Sequence, residues 1–259
     1  MNTPVYLTSE SLNHPSIRHG FFTRLGGVSQ GLQDDSHDDL AVSYHTGLEI
    51  DEVTINRTRV QEAFGAKFVS AKQVHGAKVI NVKRYWDPLN PPVADGLVTS
   101  QRALGIGVLT ADCVPVLFAD STAGVVGACH GGWRSLREGI IEATIAEMEK
   151  KGGLRERIIA VIGPCLGIKS YEVGHDFPAN FKGTLKHYRS LFIPSENPEK
   201  LMFDLPLAAN GFLKQAGLEK IDILDFDTLT NKDRFFSHRR ATRLGQPDLG
   251  RQISIIAVN

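Results

Sequence analysis

The chain has 259 residues, 42% of them hydrophobic and 22% charged, which is ample length for a buried core and within the globular range. Lys plus Arg and Asp plus Glu each number 29, so no basic excess marks the chain for a nucleic acid or an anionic membrane surface, and a small-molecule ligand is expected. No uncharged apolar run approaches a bilayer span, "MNTPVYLTSE" carries no basic-then-apolar leader, and Cys113, Cys129 and Cys165 make no disulfide framework; a cytoplasmic protein with free or metal-bound thiols is expected.

In chain order, short β-rich runs begin with "PVYL" and "HGFFTR". A helix is predicted over "DEVTINRTRVQEAFG", capped by Asp51 and ended by Gly65. Strands follow at "KFVSAKQVH" and "AKVINVK", then a surface loop at "NPPVADG", then strands at "GIGVLTADCVPVLFAD" and "GVVGACH". One helix is predicted through "WRSLREGIIEATIAEMEKKGG", where Leu136, Ile140, Ile141, Ile145 and Met148 share a face and Gly152–Gly153 give the stop. After "RIIAVIG" comes a second surface loop, "FIPSENPEK", then a helix at "DLPLAANGFLKQAG" with Asp204 ahead of Pro206. Strands at "IDILDF" and "RQISIIAVN" end the chain. With no fixed repeat and no long linker, residues 1–259 read as one α/β domain.

The stretch "LTADCVPVLFADSTAGVVGACHGGWRS" carries the chemistry. If its two apolar runs form a hairpin centred on Ser121–Thr122, Cys113 faces His130 with Cβ atoms about 4.5–5.5 Å apart, to within a residue or two of register. Alternation then turns Asp112 and Cys129 to the opposite face, away from any shared ligand. Each residue alone has a plainer reading, Cys113 as a small buried hydrophobe and His130 as a strand-end residue. A third candidate is His75 in "AKQVHGAKV", which with the pair would make a three-ligand zinc site with one open position; spacing does not select it over His45 or His19.

Several motifs fall in order: "HGFFTRLGGVSQG", "NR" at Asn56–Arg57, "QVHG", "ADG", "LTADCVPVLFAD", "HGGWRS", "IGPC", "YEVG", "FFSHRR" and "GRQ". Together they resemble, across nearly the whole chain, the YfiH-like, laccase-domain family of purine nucleoside phosphorylases. The resemblance implies a single α/β (α+β) domain, a central mixed β-sandwich flanked by helices, similar to toxin cysteine hydrolases that use a Cys–His pair. It also implies a zinc triad of His75, Cys113 and His130, phosphorolysis of adenosine, inosine and methylthioadenosine, and adenosine deamination. Relatives are also described as peptidoglycan editing factors and polyphenol oxidoreductases. The chain departs from the family pattern at "HGGWRS" for "HAGWRG", at Ser170, at Asp227–Thr228, at His238 for a Tyr, and at Ala241 for an acidic residue.

Phosphorolysis needs an anion held against the ribose C1′, for which Arg24, Arg57, Arg134, Arg239 and Arg240 are the expected groups. Phe22, Tyr171, Phe235 and Phe236 are candidate walls for the purine. The rival readings are a metal-free hydrolase with Cys113 as nucleophile and His130 as base, and a scaffold that uses zinc only to fold. A copper oxidase of phenols needs many more imidazoles than nine histidines with no His-x-His pair supply.

Overall fold

The structure is a computed structural model that describes residues 3–30, 32, 38–247 and 250–259; Gly31 of the "HGFFTRLGGVSQG" motif lies outside the described residues. Two mixed sheets pack face to face. The five-stranded sheet runs in the order Tyr6–Leu7, Ile17–Phe22, Gln252–Val258, Leu104–Thr110, Lys67–Ser70. The six-stranded sheet runs Lys220–Ile223, Ile159–Ile162, Val114–Asp120, Val125–Gly131, Gly96–Thr99, Val79–Asn81. Lys67–Ser70 pairs parallel with Leu104–Thr110, whereas Gln252–Val258 pairs antiparallel with it.

Period-two alternation sorts each strand's side chains into two layers. Ile106, Val108 and Ile256 of one sheet meet Leu117, Ala119, Val126 and Ala128 of the other in the central layer. On the far side of the six-stranded sheet, Val116, Phe118 and Cys129 pack against Ile140, Ile141, Ile145 and Met148 of one helix and Ala208, Ala209, Phe212 and Leu213 of another. On the far side of the five-stranded sheet, Phe22, Ile253 and Ile255 cover Val60 and Phe64 of the helix Ile50–Phe64. Strands covered on both faces read as continuous apolar runs, which is why "VPVLFAD" and "QISIIAV" lack polar alternation. Each large side chain taken fully out of water contributes roughly 1.5–3 kcal/mol. The expected β-sandwich flanked by helices is therefore the observed layering.

Several local expectations are corrected. The helix after His130 is two helices, Trp133–Arg137 and Ile140–Glu149, broken where Gly139 takes a φ of 89° that other residues rarely adopt. The helix predicted from Asp51 starts at Ile50, leaving Asp51 and Glu52 in the first turn, where their charge suits the helix dipole. "FIPSENPEK" is not all loop: Phe192–Pro194 and Lys200–Phe203 are strands of a small third sheet under the stacked rings of Phe192 and Phe203. In "NPPVADG", Gly96 opens a strand and Asp95 is buried. Asp204 caps Leu205–Gln215 as expected, accepting from the Leu207 N–H at 2.8 Å.

Three of the arginines and the phenylalanines expected at the site are structural. Arg24 is fully buried, forks onto both oxygens of the buried Asp39 at 2.6 Å, donates to the Lys232 and Leu32 carbonyls, and lies 5.0 Å from the centre of the Phe236 ring. Arg57 donates to the Val42 carbonyl at 3.0 Å between the rings of Tyr44 and Phe68; burial lowers its pKa to about 10, so it stays charged. Arg240 ties the carbonyls of Thr228, Leu229 and Phe235 together. Phe22, Phe235 and Phe236 are buried and present no wall to a ligand.

Removing one member of a buried pair strands the other charge in the core. Arg24→Met is expected to lower unfolding free energy by about 3–5 kcal/mol in urea titration. An unchanged urea midpoint would instead fit an arginine held for an external anion.

Candidate metal centre

The chain crosses from the five-stranded to the six-stranded sheet between Thr110 and Val114, and Cys113 sits in that crossing. The tight passage forces Asp112 to a φ of 88°, a left-handed conformation costing about 1–3 kcal/mol. Its carboxylate secures the turn by accepting from Thr228 Oγ1 at 2.7 Å and from the Arg239 N–H at 2.6 Å. Burial nevertheless pushes the Asp112 carboxyl above the usual carboxylate range, against those two bonds and one from Ser237. Asp112 thus faces the Thr228 side, and Cys129 lies in the apolar layer beneath the helices.

The hairpin register differs from the expected one. Asp120 pairs with Val125 across a four-residue turn, so His130 faces Pro115 rather than Cys113. A shift of two residues preserves the face, because side chains alternate with period two. Cys113 itself lies in the crossing just ahead of that strand, and from there its sulfur comes within reach of His130 and His75.

Asp95, just ahead of the strand Gly96–Thr99, assembles the rest. Its Oδ1 accepts from the His75 N–H at 2.9 Å, and its Oδ2 accepts from the N–H groups of Val74 at 3.1 Å and Gly76 at 2.9 Å. His130 Nδ1 lies 2.8 Å from Oδ1, and the His130 N–H donates to the Asp95 carbonyl at 2.8 Å. With Nδ1 turned to the carboxylate, Nε2 is left to face a ligand. His75 takes a φ of 61° in this loop. Gln73, two residues earlier, clamps the loop to the strand Leu104–Thr110, its side chain bonding both the N–H and the carbonyl of Leu109 at 2.7 Å.

The three donors converge. Cys113 Sγ lies 3.7 Å from His75 Nε2, and the two imidazole rings meet edge to face with centroids 4.7 Å apart. Among the described residues, His75, Cys113 and His130 form the group whose ligand atoms, all within 4.8 Å of one another, suit one ion. Bonds of about 2.3 Å to sulfur and about 2.0 Å to nitrogen at tetrahedral angles put such atoms about 3.5 Å apart, so little adjustment is needed. A Cβ on Gly132 would fall 2.6 Å from His75 Cδ2 and 3.4 Å from Cys113 Sγ, which reserves this space for the ligand side chains. Gly131, where the family pattern has Ala, has no such room: a Cβ there would meet Val114 Cγ1 at 2.6 Å. Of the other histidines considered, His19 accepts the Ser9 N–H at 2.8 Å in a separate network.

Burial opposes a Cys113 thiolate, but His130 and His75 more than offset it and bring the thiol down to about 6. Burial also opposes charge on His130, and the Cys113 and Asp95 anions outweigh it, raising its pKa to about 9. Asp95 itself is held below the usual carboxylate range, since the bonds from His130 and the loop N–H groups outweigh its burial. In contrast, burial pushes Cys129 up to about 12 and Cys165 well above the ordinary thiol value.

A cavity of about 430 Å³ opens beside these donors. Its described walls include Ala71, Leu109 and Ala111, the hydroxyl residues Ser43, Thr46 and Thr110, and the basic residues His45, Lys72, His238 and Arg251. Arg134, Arg239 and Tyr171 are not among them. Arg134 lies over the Trp133 ring at 4.5 Å, and Arg239 lies over Tyr171 at 5.2 Å while donating to the Glu172 carbonyl at 3.1 Å. Asp95, Gln73, Lys72 and Arg251 were not singled out by spacing, although "ADG", "QVHG" and "GRQ" each belong to the ordered motifs.

The fold is a mixed α/β sandwich with a His–Cys–His group at the seam of its sheets whose ligand atoms could hold one metal ion. The chain belongs to the multi-copper polyphenol oxidoreductase laccase family, which matches residues 18–259. It is 32% identical over 230 residues to the purine nucleoside phosphorylase PA4543 of Pseudomonas aeruginosa, covering 89% of this chain and 90% of that protein. It is 33% identical over 226 residues to the purine nucleoside phosphorylase YfiH of Escherichia coli, covering 86% and 88%. Among solved structures it is similar to Neisseria meningitidis protein NMB0706, with a TM-score of 0.86 at 30% identity over 98% of this chain and 99% of that one. YlmD from Geobacillus stearothermophilus gives a TM-score of 0.86 at 27% identity over 97% and 94%. Among the described residues no helix is long and apolar enough to cross a membrane.

In metal-free protein, iodoacetamide is expected to alkylate Cys113 first, with a rate that rises with pH through about 6 and is level above it, because the thiolate is the nucleophile. Peptide mapping showing Cys129 or Cys165 modified earlier would contradict this. Asp95→Asn is expected to weaken metal binding about 10–100-fold, read by competition with a chromogenic chelator, because His130 loses the partner that fixes its ring.

Proposed function

We propose that the chain is a zinc-dependent purine nucleoside phosphorylase acting on adenosine, inosine and methylthioadenosine, with adenosine deamination as a second activity. The observation that carries this reading is the convergence of His75, Cys113 and His130 on the mouth of the 430 Å³ cavity. That volume lies within the range of about 300–1,000 Å³ typical of small-molecule sites. Relatives with this architecture bear the name purine nucleoside phosphorylase.

A zinc ion held by these three side chains would supply Lewis acidity at an open coordination position. The donor set favours zinc over the copper in the family's description, since the described residues offer one three-donor group rather than the several centres a multi-copper oxidase needs. The chain's own residues do the positioning. Asp95 fixes the His130 tautomer, Gln73 fixes the approach of His75, and Ala71, Leu109 and Ala111 give an apolar surface for the nucleoside rings. The hydroxyls of Ser43, Thr46 and Thr110 are suited to the ribose hydroxyls. In phosphorolysis a phosphate oxygen bonds to C1′ as the bond from C1′ to the purine breaks, and the purine leaves with the electron pair and takes up a proton. In deamination water adds at C6 and ammonia leaves.

A second reading rests on the same geometry: a Cys113 thiol lowered to about 6 beside two imidazoles is also an activated nucleophile for amide hydrolysis. Incubation of zinc-loaded protein with adenosine separates them. Adenine and ribose 1-phosphate are expected with phosphate and inosine without it, and both products are expected to vanish with the zinc in Cys113→Ala. Turnover of amides by metal-free protein would favour the thiol; no nucleoside product from zinc-loaded protein would overturn the phosphorylase reading.

A further inference from the structure

Breaking the bond from C1′ to a purine leaves an electron pair on the base, and a proton has to meet that charge. The three ligand residues are committed: His130 turns Nδ1 to Asp95, and the donor atoms of His75, Cys113 and His130 converge on one point. The proton therefore comes from another group on the cavity walls. Besides the triad, the described nitrogen bases there are His45, Lys72, His238 and Arg251. An arginine keeps its proton and a lysine yields one reluctantly near neutrality, whereas an imidazole both holds and releases it.

The two remaining imidazoles differ. His238 opens the helix His238–Leu244 and is engaged by the buried Asp112, whose carboxyl it helps to hold down. His45 has an exposed ring that makes no hydrogen bond among the described residues; only its backbone N–H is used, donating to Ser43 Oγ at 3.3 Å.

The segment that carries His45 is fixed on both sides of it. Val42 donates its N–H to the Arg251 carbonyl at 3.1 Å, and its carbonyl accepts from Arg57 Nη1 at 3.0 Å. Tyr44 packs its ring 5.4 Å from the Arg57 guanidinium, and its hydroxyl lies 3.0 Å from Thr54 Oγ1 on the helix Ile50–Phe64. On the other side, Thr46 Oγ1 donates to the Ser43 carbonyl at 3.3 Å. The buried Arg57, expected from sequence to hold phosphate, thus holds this turn instead. A backbone tied down around a ring left unbonded suits a side chain that works on a ligand.

We propose that His45 is the general acid of phosphorolysis, an inference that rests on the phosphorylase reading. As a phosphate oxygen bonds to C1′ and the bond from C1′ to purine N9 breaks, the electron pair stays on the base. A ring N–H of protonated His45 passes its proton to purine N7, the neutral purine leaves, and the imidazole recovers a proton from water.

Phosphorolysis of inosine and of 7-methylinosine by zinc-loaded parent, His45→Gln and His45→Ala tests this. The 7-methyl purine is already cationic and leaves without taking up a proton. For inosine, kcat is expected to fall about 10²–10⁴-fold in both variants. For 7-methylinosine it is expected to stay close to the parent value. The His45 ring is exposed, so both variants are expected to fold, and thermal melting and zinc content check this. Unchanged kcat for inosine in both variants overturns the assignment, and so do equal losses on the two nucleosides, which would mark a positioning role. A parent enzyme that cleaves 7-methylinosine but not inosine keeps the phosphorylase reading and removes the acid. A parent that cleaves neither removes both.

Discussion

The site depends on one buried carboxylate. Asp95 collects three consecutive loop N–H groups and the His130 imidazole on two oxygens, and its own carbonyl receives the His130 N–H. Two of the three ligand residues are thereby positioned by the same side chain, one through its backbone and one through its ring. The bonds also keep the carboxylate ionised in spite of its burial, and that negative charge supports the imidazole beside it. His75 tolerates its left-handed φ because the N–H groups on either side of it are held by the same oxygens.

Around this anchor, the layering of the fold decides which groups reach the centre. His75 comes from beyond a strand of the five-stranded sheet, His130 from within the six-stranded sheet, and Cys113 from the crossing between them. The crossing is short, so Asp112 adopts a strained backbone and is tied to the segment 228–239 by Thr228 and Arg239. Two departures from the family pattern fall close by. Thr228, beside the altered Asp227, retains the hydroxyl that Asp112 accepts, and His238 adds an imidazole to the cavity wall where a Tyr is usual.

Sequence showed those parts of the site that local periodicity controls. Alternation put Cys113 and His130 on one face and turned Asp112 and Cys129 away. The structure also brings Cys113 and His130 together, but with the register off by two and with Cys113 and Asp112 in the crossing ahead of the strand, where a left-handed turn rather than parity sets their directions. His75 came from family resemblance, because a strand-end histidine looks the same whether or not it meets a cysteine 38 residues on. Asp95 was hidden in "NPPVADG", whose Asn, Pro and Gly content signals a turn and says nothing of burial. Arg24 and Arg57 were misplaced for the converse reason: arginine is usually exposed, and only the tertiary structure shows a carboxylate or carbonyls waiting inside. Lys72 and Arg251 lie far apart in sequence and are joined only through strand pairing, which composition and spacing do not encode.

The origin of the ligands on two different sheets has a mechanical consequence. An ion held by His75, Cys113 and His130 would act as a staple across the sandwich, so part of its binding free energy would be cohesion between the sheets. Core residues such as Ile106 and Leu117, which set the sheet spacing from deep in the central layer, would then tune metal affinity without touching the metal. Loosening that layer would register first as a leakier ion, before any strand came apart.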